Sequence, residues 1–143
     1  MKNNATMKEL ESHLLEKEIN PTAMRLVVLD YLLKQNNAVS LTDMELGMEK
    51  TDRVTLYRSI KTFEEHGLVH RIDDGTGITK FALCQPACTI DGHHDLHVHF
   101  YCVNCEETHC LPKTQIPEVR LPAGYERQET SLLVKGVCSE CRK

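Results

Sequence analysis

No stretch of this sequence approaches the roughly 20 consecutive apolar residues that a membrane-spanning helix needs, and no apolar run of the signal-peptide kind opens it. Those absences lead to the expectation of a cytoplasmic protein that does not enter a membrane. The sequence also lacks internal repeats, low-complexity tracts and any excess of positive charge: 17 Lys and Arg against 21 Asp and Glu leave a formal net charge of -4. Such a balance argues against a chain coated in nucleic acid, while leaving room for a local basic face. Cysteine is missing before Cys84, and then seven cysteines crowd between Cys84 and Cys141. In a reducing compartment that usage suits metal binding or thiol chemistry better than a disulfide framework, and an odd count fits poorly with full pairing.

At 143 residues and a hydrophobic fraction of 41%, the chain has room for one compact domain or two small ones. Its composition changes near residue 80: helix-forming sequence precedes that point, and cysteine, histidine and short β-like runs follow it. In "ATMKELESHLLEKEI" the spacing of Met7, Leu10 and Leu14 along one side predicts an amphipathic helix. Asn20-Pro21 announces a second helix, with Asn20 as N-cap and Pro21 at the first helical position, and Asn36-Asn37 ends it. Ser40 followed by Asp43 signals a short third helix to about Met48.

The fourth helix, "TDRVTLYRSIKTFEEHG", is the most informative of the first half. Leu56, Ile60 and Phe63 fall at the spacing of one inward face, which leaves Val54, Arg58, Lys61 and Glu65 opposite and Thr55 and Tyr57 beside them. Arg53, Arg58 and Lys61 suit phosphates or guanine edges, Tyr57 offers a hydroxyl, and Thr55 and Val54 offer methyl groups for thymine. After Gly67, "LVHRIDDGTGITKFAL" reads as a β-hairpin about Asp-Gly and Thr-Gly. Three helices and such a hairpin follow the order of a winged helix-turn-helix. Charged helix faces are usually only solvated, so the order of elements rather than the charge favours DNA.

Cys102-x-x-Cys105 and Cys138-x-x-Cys141 are two knuckles of identical spacing. Each turn lets two thiolates converge, and together they complete a closed tetrahedral shell of the structural zinc type. With those sulfurs used, His97 and His99 in "HVHFYCVNC" remain, two apart and so on one face of a strand. His70, Cys84, Cys88, His93, His94 and Asp95 are candidates to join them at a second site, where imidazole with thiolate suits zinc. Cys110 reads as a buried strand thiol, His109 as an exposed residue on the other strand face, and His66 as a partner for a helix C-terminus.

Taken together, "VTLYRSIKTFEEHGLV", "HVHFYCVNC" and "GVCSEC" resemble the recognition helix, histidine pair and cysteine knuckles of the ferric uptake regulator family, over nearly the whole chain. The resemblance implies an α+β protein: an N-terminal winged helix-turn-helix, residues 1-84, and a small α/β dimerisation domain with a four-cysteine zinc site, residues 85-143. It implies DNA contacts from Tyr57 and Arg58 and structural zinc on Cys102, Cys105, Cys138 and Cys141. Iron-sensing members use a histidine after the second helix and a glutamate in the wing, where Ala38 and Ala82 stand here. Zinc-sensing members use a cysteine just past the wing, in the place of Cys84, and an Asp or His at its start, in the place of His70. The implied regulatory set is therefore His70, Cys84, His97 and His99. The link from Cys84 to His97 is longer than is usual in the family. A further family site is depleted, with Leu96 and Val98 at flanking positions and Glu118 as its candidate remnant.

These readings converge on a homodimeric, zinc-responsive repressor of metal-uptake genes that binds double-stranded operator DNA, with Fe2+ or Mn2+ as less suitable regulatory ions. An iron or peroxide sensor of the same family is the first alternative, and a thiol redox switch using Cys84, Cys88 or Cys110 is the second. A zinc hydrolase using His97 and His99 ranks last, because no carboxylate is spaced as a general base and the sulfur site is closed.

Overall fold

A computed structural model describes residues 5-35, 37-48, 51-83, 98-111, 117-128, 130 and 132-143. The chain divides into two compact units, residues 1-95 and 96-143, and the boundary expected at residue 84 falls, like this one, in a segment outside the described residues.

In the first unit, α1 (Met7–Glu16), α2 (Ala23–Leu33), α3 (Leu41–Gly47) and α4 (Arg53–Glu65) surround one apolar core. Leu14, Val28, Leu29, Met44, Leu56 and Phe63 in that core are inaccessible to solvent. Met7 is not part of it, with 60% of its surface exposed. Ala5, just ahead of the Thr6 N-cap, packs on the core instead, because the buried stripe of α1 begins only at Leu10. The cap of α2 also differs from expectation. Thr22 rather than Asn20 accepts the Arg25 N–H, at 3.3 Å, so Pro21 precedes the cap, and the Asn20 carbonyl accepts from Arg25 Nη1. Ser40 and Asp43 form the reciprocal capping box that their spacing predicts, at 3.1 and 3.0 Å.

Helix α4 starts on Asp52, whose carboxylate accepts the Thr55 N–H at 2.8 Å. It ends in a Schellman turn: the Gly67 and Leu68 N–H groups return to the carbonyls of Glu64 and Phe63. Gly67 holds φ +76°, a conformation that glycine adopts without penalty. His66 Nδ1 donates to the Lys17 carbonyl at 3.0 Å and ties this helix end to the end of α1.

The predicted hairpin is present as β2 (Val69–Asp73) and β3 (Thr79–Leu83), and β1 (Val39–Ser40) pairs antiparallel with the other side of β3. β1 has only two residues, too few for an alternating pattern to reveal it. At the hairpin tip Asp74 is fully buried, accepts from the Thr76 N–H and hydroxyl, and pairs with Lys80 Nζ at 2.8 Å.

The second unit holds one described sheet, with strand order β5-β4-β6, built from β4 (Val98–Cys102), β5 (Thr108–Leu111) and β6 (Leu132–Gly136). β5 pairs antiparallel with β4 through a turn that contains the first cysteine knuckle, whereas β6 pairs parallel and sets Gly136 opposite Cys102. The second knuckle begins two residues beyond Gly136, so the parallel register delivers it to the first.

Candidate functional site

Cys102, Cys105, Cys138 and Cys141 converge, with all four sulfurs within 4.8 Å of one another. Sγ of Cys102 lies 3.8 Å from that of Cys141, and Sγ of Cys105 lies 3.9 Å from that of Cys138. A tetrahedron with metal–sulfur bonds of about 2.3 Å has edges of about 3.8 Å, so the sulfur spacing fits zinc. Backbone N–H groups of Cys105 and Cys138 point at Cys102 Sγ from 3.5 and 3.3 Å. The Cys105 N–H foremost, with that of Cys138, outweighs burial and takes the Cys102 thiol down to about 6. At Cys105 the Glu107 N–H favours thiolate, but partial loss of solvent and the neighbouring sulfurs together push the thiol up to about 12. Four sulfurs this close cannot all carry negative charge without a cation between them. Cys102, Cys105, Cys138 and Cys141 would hold a zinc ion, which would supply that charge in a closed shell.

The residues expected at the second site are placed less evenly. Cys84 and His97 lie outside the described residues, as do Cys88, His93, His94 and Asp95. His70 is buried on β2, directly opposite Ala82 of β3. In the other unit His99 is half-buried on β4, and the residue directly opposite it on β5 is Cys110. The His99 ring and the Cys110 sulfur bring ligand atoms within 4.8 Å of each other. Cys110 is thus a candidate ligand, although its place in the sequence assigns it to packing. A signal exists: a knuckle that forms the turn between two antiparallel strands fixes which residues face each other, and it pairs 99 with 110. His109 also departs from expectation, since its ring is only partly exposed and stacks edge-on to Phe100 at 6.5 Å.

On α4, Tyr57, Arg58 and Lys61 are exposed. Arg53 is engaged by Glu45 and Thr42 of α3, and the Thr55 hydroxyl donates to Asp52 at 2.7 Å. Arg53 and Tyr57, with Arg71 and Thr79 of the hairpin, line an open groove of about 510 Å³. Arg71 chelates the Glu64 carboxylate and lies 5.8 Å above the Phe81 ring. The bonds that Arg71 donates to Glu64 raise its affinity for the proton further. No described helix is long and apolar enough to cross a membrane.

A model of the ferric uptake regulator family matches residues 16-132. The chain belongs to the ferric uptake regulator family. This member of the family is a metal-responsive, DNA-binding transcriptional regulator. It is 26% identical to the peroxide operon regulator of Bacillus subtilis, over 96% of this chain and 94% of that one. It is 28% identical to the ferric uptake regulation protein of Neisseria gonorrhoeae, over 92% of each. Among solved structures, a zinc uptake regulator complexed with zinc and DNA shares the fold, with a TM-score of 0.65 at 20% identity and 96% of each chain covered.

Proposed function

We propose that this regulator is a homodimeric, zinc-responsive repressor of metal-uptake genes that works in the cytoplasm. The observation that carries the choice of zinc is His99 facing Cys110 across the sheet, because imidazole beside thiolate is a soft donor pair. Ala38 and Ala82, where iron-sensing relatives carry a histidine and a glutamate, support the same choice. The regulatory ion is held by His70, Cys84, His97 and His99, with the Cys110 thiolate facing His99 as a further donor. An ion on such a set fixes the angle at which two winged helices meet successive major grooves. Arg58 and Lys61, with Tyr57, contact the operator, supplemented by Arg53 and Thr55. Exposed Val119, Leu121 and Tyr125 in the second unit are in keeping with a surface covered by a second copy.

A hundredfold rise in DNA affinity on metal loading corresponds to about 2.7 kcal/mol of coupling, returned as equally tighter metal binding on DNA. The test is a DNA-binding titration under reducing conditions with zinc, Fe2+ and Mn2+ in turn, together with metal content per protomer. The expected result is one chelator-resistant zinc and DNA binding that follows exchangeable zinc. Cys84→Ser or His97→Ala removes that response, and Arg58→Ala weakens DNA binding with metal content unchanged. The likeness to a peroxide operon regulator favours a second reading, iron sensing with oxidative release. DNA binding driven by Fe2+ and abolished by peroxide, with zinc inert, selects it.

A further inference from the structure

Beside the sulfur centre lie two donors that its closed shell does not use, Glu107 and His109. Glu107 and His109 stand two apart at the start of β5 and share one side of the chain, and Cys105 lies in the turn just before them. Thr108, between Glu107 and His109, is buried on the other side. The Cys105 sulfur, a Glu107 carboxylate oxygen and a His109 ring nitrogen all lie within 4.8 Å of one another. Cys105 is the exposed corner of the four-cysteine cluster, whereas Cys102 and Cys138 are buried. His109 Nε2 provides an independent sign: it is shielded from solvent and finds no hydrogen-bond partner among the described residues. A buried imidazole nitrogen left in that state is costly unless something else takes its lone pair.

We propose that Cys105, Glu107 and His109 form a second, open zinc site that shares the Cys105 thiolate with the sulfur centre. The inference rests on zinc occupying the four cysteines and is independent of which ion the His99 site senses. A zinc ion held by four thiolates is a doubly negative complex, and its exposed sulfur keeps lone pairs that can bridge to another cation. Glu107 adds negative charge and His109 a neutral nitrogen, a donor set that zinc accepts. Three protein ligands leave one position for water, so this ion exchanges while the sulfur-bound ion does not.

Cadmium-113 NMR of the full-length, reduced protein, with zinc equilibrium dialysis in parallel, tests the site. Glu107→Gln and His109→Ala are expected each to lose one readily chelated zinc per protomer while keeping the chelator-resistant one. His99→Ala keeps the ion at issue. In the cadmium protein, a coupling between two metal resonances through the shared sulfur is expected in wild type and absent from both variants. If wild type shows no such coupling, or if Glu107→Gln and His109→Ala retain as many ions as wild type, the site does not exist. Glu107→Gln is nearly isosteric and guards against misfolding in the histidine variant. Loss of an ion in His99→Ala alone would leave the regulatory reading standing and overturn this one.

Discussion

At the scale of single residues, two local conformations set stability that no core contact reveals. Glu18 holds φ +59° as the C′ residue of α1, where its N–H and that of Ile19 return to the carbonyls of Leu15 and Leu14. A side chain in that left-handed conformation costs about 1 kcal/mol relative to glycine. Glu18→Gly is expected to raise stability by about that amount, measured by urea unfolding. Asp52 behaves differently because its contribution titrates. The bonds from the Thr55 hydroxyl and N–H hold its carboxyl below the usual carboxylate range. A depressed folded-state pKa stabilises the protein above the unfolded value, and that stabilisation fades as pH falls through the folded value. Asn caps a helix about as well as Asp but does not titrate. Wild type should therefore exceed Asp52→Asn in stability near neutral pH, and the margin should shrink below about pH 4.

At the scale of elements, α4 does two jobs with opposite faces. Leu56, Ile60 and Phe63 fill the core, and their 3.6-residue spacing makes that face readable from the sequence. Phe63 is inaccessible to solvent, so Phe63→Ala should destabilise the first unit by about 3 to 5 kcal/mol in chemical denaturation, with the exposed Arg58 and Lys61 untouched. The outer face is less legible. Its spacing offers Arg53 and Thr55 to DNA, but in this structure Glu45 occupies the guanidinium and Asp52 occupies the hydroxyl. Partners of that kind depend on how α3 and the helix cap are arranged, and spacing along one helix does not reveal them. The β1 strand is illegible for a related reason, since two residues carry no periodicity and only β3 makes them a strand.

At the scale of the whole chain, the sulfur cluster ties the turn between β4 and β5 to the segment that follows β6. The sheet of the second unit has three described strands, and the parallel β4–β6 pairing spans a long connection that costs entropy to close. Zinc at the four cysteines would offset that cost, with binding energies on the order of 10 to 16 kcal/mol in small zinc peptides. Cys138→Ser should release the chelator-resistant zinc and abolish amide protection across β4, β5 and β6, seen by metal analysis and hydrogen exchange. Retained protection with the zinc gone would show that the sheet stands without it.

The sequence by itself determined what depends on near neighbours. The knuckles bring thiolates together within a turn, the Ser40 box closes within three residues, and the faces of α4 repeat within two turns. Each cysteine knuckle, the helices and the hairpin were legible for that reason. Tertiary structure decided which distant residues meet: the parallel register that sets Cys102 against Gly136, the pairing of His99 with Cys110, and the packing of His109 against Phe100. A strand pattern names the face a side chain takes, but only a formed sheet, whose register is chosen by backbone hydrogen bonds and core burial together, names its neighbour.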